Sequence, residues 1–155
     1  MKNSLVGAIF GGAIAALIGA ILWAVMTVWT GYQIGYAAIG VGALVGVVVR
    51  VLGKGETPLF GIIGGTFALL GCALGNFLSA VGFATDGLVA EGIEVGYFDV
   101  LSGMTMQGAV ELMKVTFSPM DILFYAVAAY AGFQFSFDAN PTVEATDDPA
   151  SSEAA

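Results

Sequence analysis

The sequence predicts an all-α fold: a polytopic membrane protein whose four transmembrane helices form a bundle, with an amphipathic helix at the outer interface. Hydrophobic residues make up 58% of the chain, charged residues only 10%, and the mean hydropathy is +0.92. Soluble domains carry about 25% charged residues, and small domains stay rich in surface. So much apolar sequence therefore requires a bilayer.

Four segments are long enough to cross a hydrocarbon core about 30 Å thick, which takes roughly 20 helical residues. They cover about residues 5–29, 34–52, 58–84 and 119–137, within a transmembrane domain over residues 1–137. The first run is longer than the apolar part of a signal peptide, about 7–15 residues, and no clear cleavage site follows it. We therefore expect it to be retained.

The connections between these spans differ in character. Residues 30–33 allow only a tight turn, so the first two spans form a hairpin, whereas residues 85–118 form a long polar connection. Ser118, Pro119 and Asp121 fit the N-cap, N1 and N3 positions of a helix, which starts the fourth span. Residues 138–155 are acidic and poor in apolar side chains, which predicts a disordered tail.

The outer connection contains one amphipathic segment. Met106, Val110, Met113 and Phe117 recur at helical spacing on one face, with polar residues on another. Such a helix is expected to lie flat on the membrane or against the bundle.

Basic residues favour one orientation. With a cytoplasmic N terminus, Lys2, Arg50 and Lys54 face inward and only Lys114 faces outward. We therefore expect a multi-pass protein of the bacterial inner (plasma) membrane with both termini, and the acidic tail, in the cytoplasm.

Small residues recur at four-residue spacing in the first three spans and let helix backbones approach closely in lipid. The first span carries two such stripes, and a hairpin with the second span can use only one fully. The other, expected to be the stripe of Gly7, Gly11, Ala15 and Gly19, would meet the third or fourth span, or a neighbouring subunit. The glycines expected to pack helices are Gly7, Gly11, Gly12, Gly19, Gly42, Gly46, Gly61, Gly65, Gly71 and Gly75.

Asn76 and Asp121 form the possible polar site. Asn76 either lines a solute path or makes one interhelical hydrogen bond. Asp121 is a candidate proton-relay carboxylate, because intramembrane acids are often functional, but its N3 position gives it a structural reason as well.

Several kinds of chemistry are excluded or disfavoured. One cysteine and no histidine exclude a disulfide within the chain, a Cys/His zinc site and a histidine base. The net charge of −8 and the lack of basic clusters argue against nucleic acid. Carboxylates in the outer connection could bind a cation but match no EF-hand loop. We expect no cofactor, no metal and no catalytic residue.

The hairpin over residues 15–50, with Thr30-Gly31-Tyr32-Gln33-Ile34-Gly35 at its turn, and the Ser118-Pro119-Met120-Asp121 helix start resemble an uncharacterised bacterial multi-spanning membrane domain. Some members of that family carry a zinc ribbon before the first helix, for which this sequence lacks the ligands. The resemblance implies membrane location and helix number, not an activity.

These features favour a non-enzymatic membrane protein, a structural or accessory subunit that assembles through small-residue helix faces. Its partners would be the lipid bilayer and either further copies of itself, as a homo-oligomer, or another membrane protein. The alternative is a small-solute channel or transporter, which usually exposes more polar groups along its path.

Overall fold

The computed structural model describes residues 4–32 and 35–137, and all regular structure in them is helical. The helices are α1 (Leu5–Thr30), α2 (Tyr36–Gly53), α3 (Pro58–Ala90), α4 (Tyr97–Gly103), α5 (Met106–Thr116) and α6 (Pro119–Phe135). The acidic tail predicted for residues 138–155 lies outside the described residues.

Helices α1, α2, α3 and α6 form the bundle. α2 and α3 contact each other, and α1 and α6 each contact both of them, whereas α1 and α6 do not meet within the described part of the chain. Gly12 of α1 faces Phe67 of α3, and Gly75 faces Ala20, so these two helices run parallel. α2 runs antiparallel to α1.

The packing of α1 reverses the size pattern of a soluble helix. Its buried positions are small residues apart from Trp23 and Thr27, whereas large aliphatic and aromatic side chains such as Phe10 and Leu22 are exposed. Small residues bring the backbones together, and large apolar ones face outward, as expected for helices surrounded by lipid.

α3 is longer than the sequence predicted. The span was expected to end at residue 84, but the helix continues to Ala90, with the Thr85 hydroxyl bonded to the Val81 carbonyl and the polar Asp86 exposed on the helix surface. Gly92, two residues after the last helical residue, has a φ of +83° and so supplies a left-handed stop. There the amide of Ile93 donates to the Leu88 carbonyl. At 33 residues, α3 is about 50 Å long.

α1, α2 and α3 are each long and apolar enough to span a membrane. α6 has 17 residues and ends at Phe135 instead of residue 137. It meets the same criterion only together with α5, from which it is bent by 97°. The amphipathic helix predicted after residue 105 is present as α5, whereas α4 was not predicted from the sequence.

Candidate functional site

The two predicted polar residues lie on facing surfaces of α3 and α6. Asn76 is 2% exposed, and its Nδ2 donates to the Tyr125 hydroxyl at 3.2 Å. That hydroxyl donates in turn to the Cys72 carbonyl at 3.4 Å, one turn back on α3. Tyr125 also lies one turn after Asp121, so the structure brings both residues to one α3–α6 contact. The bond from Asn76 matches the interhelical alternative stated for it.

Asp121 is hydrogen-bonded at the start of α6 and is also buried. Its Oδ2 accepts from the Ser118 amide at 2.7 Å, and Ser118 caps the helix with Pro119 at N1, which confirms the predicted helix start. Yet Asp121 is only 4% exposed. The carboxylate is therefore held in the protein and oriented by the backbone at the positive end of α6.

Sequence reasoning did not single out Tyr125 or Trp23. Tyr125 follows Asp121 by four residues, and that spacing was the available signal for a shared face. Trp23 is 2% exposed, and its Nε1 has no hydrogen-bond partner among the described residues. A buried indole N–H usually finds a partner, and nothing in the structure explains this exception.

The predicted packing glycines all lie at contacts between helices of the same chain. Gly7, Gly11 and Gly19 face Leu52, Val48 and Val41 of α2. The companion stripe of α1, which includes Gly12, meets α3 at Phe67 and also meets α2 at Val49. Both stripes are therefore used within the chain, and the stripe expected to meet the third or fourth span or a second subunit meets α2 instead.

The predicted glycines of α2 and α3 also make close approaches. A Cβ added to Gly42 would overlap the Ala128 carbonyl oxygen of α6, and one at Gly46 would lie 2.7 Å from the Phe135 Cβ. The remaining glycines are placed in the same way: Gly61 against Phe133 and Phe137, Gly65 against Ala129, Gly71 against Ala16 and Val41, and Gly75 against Ala20 and Trp23.

An apolar groove of about 820 Å³ lies between α1, α3 and α4. α1 forms one wall from Leu17 to Trp29, α3 forms the floor with Leu74 and Leu78, and α4 forms the other wall with Tyr97, Phe98 and Leu101. The volume is within the range of about 300–1,000 Å³ usual for small-molecule sites.

One hydrogen bond fixes the position of α4. The Tyr97 hydroxyl donates to the Leu78 carbonyl at 3.0 Å. Burial raises the pKa of Tyr97 above its ordinary value, so the hydroxyl keeps the donated proton at neutral pH. Because Gly75 faces Ala20 and Gly82 faces Val28, Leu78 is level with about residue 24 of α1. The Tyr97 hydroxyl therefore contacts α3 at a level several residues before the C-terminal end of α1.

Several apolar side chains of α5 are exposed on the surface of the protein. Met106 and Val115 are among the most exposed apolar side chains, and Val110 and Phe117 are also exposed. A shallow cleft of about 500 Å³ lies along this helix beside Lys114. The apolar stripe predicted from the sequence is thus present and partly covered: Met106 and Val110 are exposed, whereas Met113 is half-buried and the Phe117 ring packs edge-on against Tyr125.

Four carboxylates from the end of α3 through α4 lie on the surface of the protein. Asp86, Glu91, Glu94 and Asp99 are all exposed, and Asp99 accepts from the Gly96 amide at 2.8 Å to cap α4. Within residues 4–32 and 35–137, no group of three acidic, cysteine or histidine side chains is placed to hold a metal ion.

No family model matches the sequence, and the searches of curated proteins and of solved structures also gave no match. The resemblance to an uncharacterised bacterial membrane domain gains no support from these comparisons. Function is therefore inferred from the helices and their contacts.

Proposed function

We propose that this chain is a non-enzymatic integral membrane protein, a structural or accessory subunit of an assembly in the bacterial inner membrane. In this proposal α1, α2, α3 and α6 span the bilayer, with the termini and Lys54 on the cytoplasmic side. α4 and α5 lie on the opposite side, with the exposed apolar face of α5 at the membrane interface.

The proposal rests on one observation: the backbones of neighbouring helices in the bundle lie in close contact. At Gly7 of α1 and at Gly42 and Gly46 of α2, an added Cβ would overlap atoms of the neighbouring helix. The buried hydroxyls of Ser79 and Thr85 are satisfied within α3, where each donates at 2.8 Å to the carbonyl four residues earlier, whereas Asn76 donates across to Tyr125 of α6. The close glycine contacts and this one interhelical bond support a role as a scaffold.

Isolation of the tagged full chain in mild detergent tests this function. We expect a second membrane component, either another copy or a different protein, to co-purify in a fixed ratio after cross-linking in membranes. Because the Gly11 stripe packs on α2, Gly11→Leu should lower thermal stability without selectively releasing that component. A chain that purifies alone after cross-linking would contradict the proposal.

The alternative, a small-solute channel or transporter, is favoured by one observation: Asn76, Tyr125 and Asp121 place polar groups together inside the bundle. Proteoliposome flux measurements separate the two functions. Solute flux that Asn76→Leu abolishes, with the fold retained, would favour transport over a structural role.

A further inference from the structure

We propose that the groove between α1, α3 and α4 binds one acyl chain of a phospholipid from the leaflet on the α4 side, and that the neighbouring carboxylates favour an amine-bearing head group. The inference rests on the proposed membrane embedding. The proposed lipid site is a separate feature, because the four helices of the bundle pack together without it.

The length of the groove matches one leaflet. Its α1 wall runs from Leu17, near the middle of that helix, to Trp29 at its end. Twelve residues of helix rise about 18 Å, and half of a hydrocarbon core about 30 Å thick is about 15 Å. An acyl chain that follows α1 would therefore reach from the membrane centre to the interface within the groove.

The lining suits a hydrocarbon chain and no polar ligand. Every lining side chain is apolar except those of Trp29 and Tyr97. The Tyr97 hydroxyl is already bonded to the Leu78 carbonyl, and Trp29 sits at the end of α1, where an indole prefers the interface. Nothing along the length of the groove offers a polar contact to a solute.

α4 distinguishes this groove from ordinary lipid-facing surface. The bond to Leu78 holds the hydroxyl of Tyr97, the first residue of α4, level with about residue 24 of α1, roughly six residues before the end of α1. That corresponds to a depth of about 9 Å. Phe98 and Leu101 therefore form a second wall opposite α1, so that a chain in the groove contacts protein on three sides.

The acidic side chains near α4 favour one class of lipid head group. Residues 85–105 contain four acidic side chains and no lysine or arginine, and Asp99 belongs to the groove-forming helix α4. Like charges repel, whereas an ammonium group gains from nearby carboxylates. A phosphatidylethanolamine is therefore favoured over an anionic phosphatidylglycerol with the same chains.

The test uses the full chain in lipid nanodiscs with two photoactivatable probes. These are phosphatidylethanolamine and phosphatidylglycerol, each with a diazirine in the same acyl position, and cross-linked residues are located by mass spectrometry. Val25→Trp fills the groove, and Leu22→Trp is the matched control. Val25 and Leu22 are 61% and 59% exposed on the same helix, but only Val25 lines the groove.

We expect phosphatidylethanolamine to label α1 near Val25 together with α4, with weaker labelling by phosphatidylglycerol. Val25→Trp should weaken this labelling about tenfold, the effect of losing contact with two methylene groups, and Leu22→Trp should leave it within about twofold. Equal loss in both variants, or labelling spread over all exposed faces, would overturn the acyl-chain site. Stronger labelling by phosphatidylglycerol would overturn the head-group assignment.

Membrane embedding has its own readout. Carbonate extraction of cell membranes should leave wild type and both variants in the pellet. Release of all three would contradict the proposed function itself, whereas retention without groove-specific labelling would contradict only the lipid site.

Discussion

Gly42→Ala should destabilise the bundle, although alanine is the better helix former. The added Cβ would overlap the Ala128 carbonyl oxygen, and a carbonyl in the middle of α6 cannot rotate away as a side chain does. Relief requires α2 and α6 to separate, which weakens their neighbouring contacts.

Gly40→Ala is the matched control for this change. Gly40 is exposed on the same helix, and an added Cβ would meet nothing within 4 Å. Replacing glycine by alanine inside a helix gains about 0.5–1 kcal/mol, whereas overpacking a tight contact costs about 1–3 kcal/mol. Both variants receive the helix gain, so Gly42→Ala should be about 1–3 kcal/mol less stable than Gly40→Ala.

Unfolding of the two variants in the same detergent, followed by circular dichroism, measures this difference directly. Gly40→Ala should be as stable as wild type or slightly more so. Equal stability of the two variants would refute the close contact between α2 and α6, and with it the closed bundle on which the structural function rests.

Two further predictions concern the α3–α6 contact and the orientation of the chain. Asn76→Leu should cost about 0.6 kcal/mol, and at most about 1.7 kcal/mol, the range measured for interhelical hydrogen bonds in membranes; a double-mutant cycle with Tyr125→Phe should show the coupling, and additive effects would rule out the bond. In a Cys72→Ala chain, an impermeant thiol reagent applied to intact cells should label Ser102→Cys and not Lys54→Cys, and the reverse pattern would overturn the proposed topology.

Features encoded by neighbouring residues could be predicted from the sequence. Ser118, Pro119 and Asp121 lie within four positions, so the start of α6 followed from known capping preferences. The amphipathic stripe of α5 was equally local. The end of α3 was missed because the exposed Asp86 resembled the end of an apolar run, although Gly92 gave a signal for the true helix end.

Features that depend on distant residues could not be predicted. Asn76 and Tyr125 are 49 residues apart, and Tyr97 and Leu78 are 19 apart, so neither pair follows from local spacing. The two stripes of α1 were visible in the sequence, but their partners depend on α1 lying between α2 and α3. For the same reason, a groove formed by α1, α3 and α4 has no sequence signature.

The lack of contact between α1 and α6 in the described structure has a consequence for biogenesis. Synthesis proceeds from the N terminus, so α1 has met both of its neighbours, α2 and α3, before α6 leaves the ribosome. In the finished fold, the surface of the first three helices that α6 covers is lined by Gly42, Gly46 and Gly65. The last span to be synthesised therefore has its contact surface on helices that precede it in the chain and, within the described residues, none on α1.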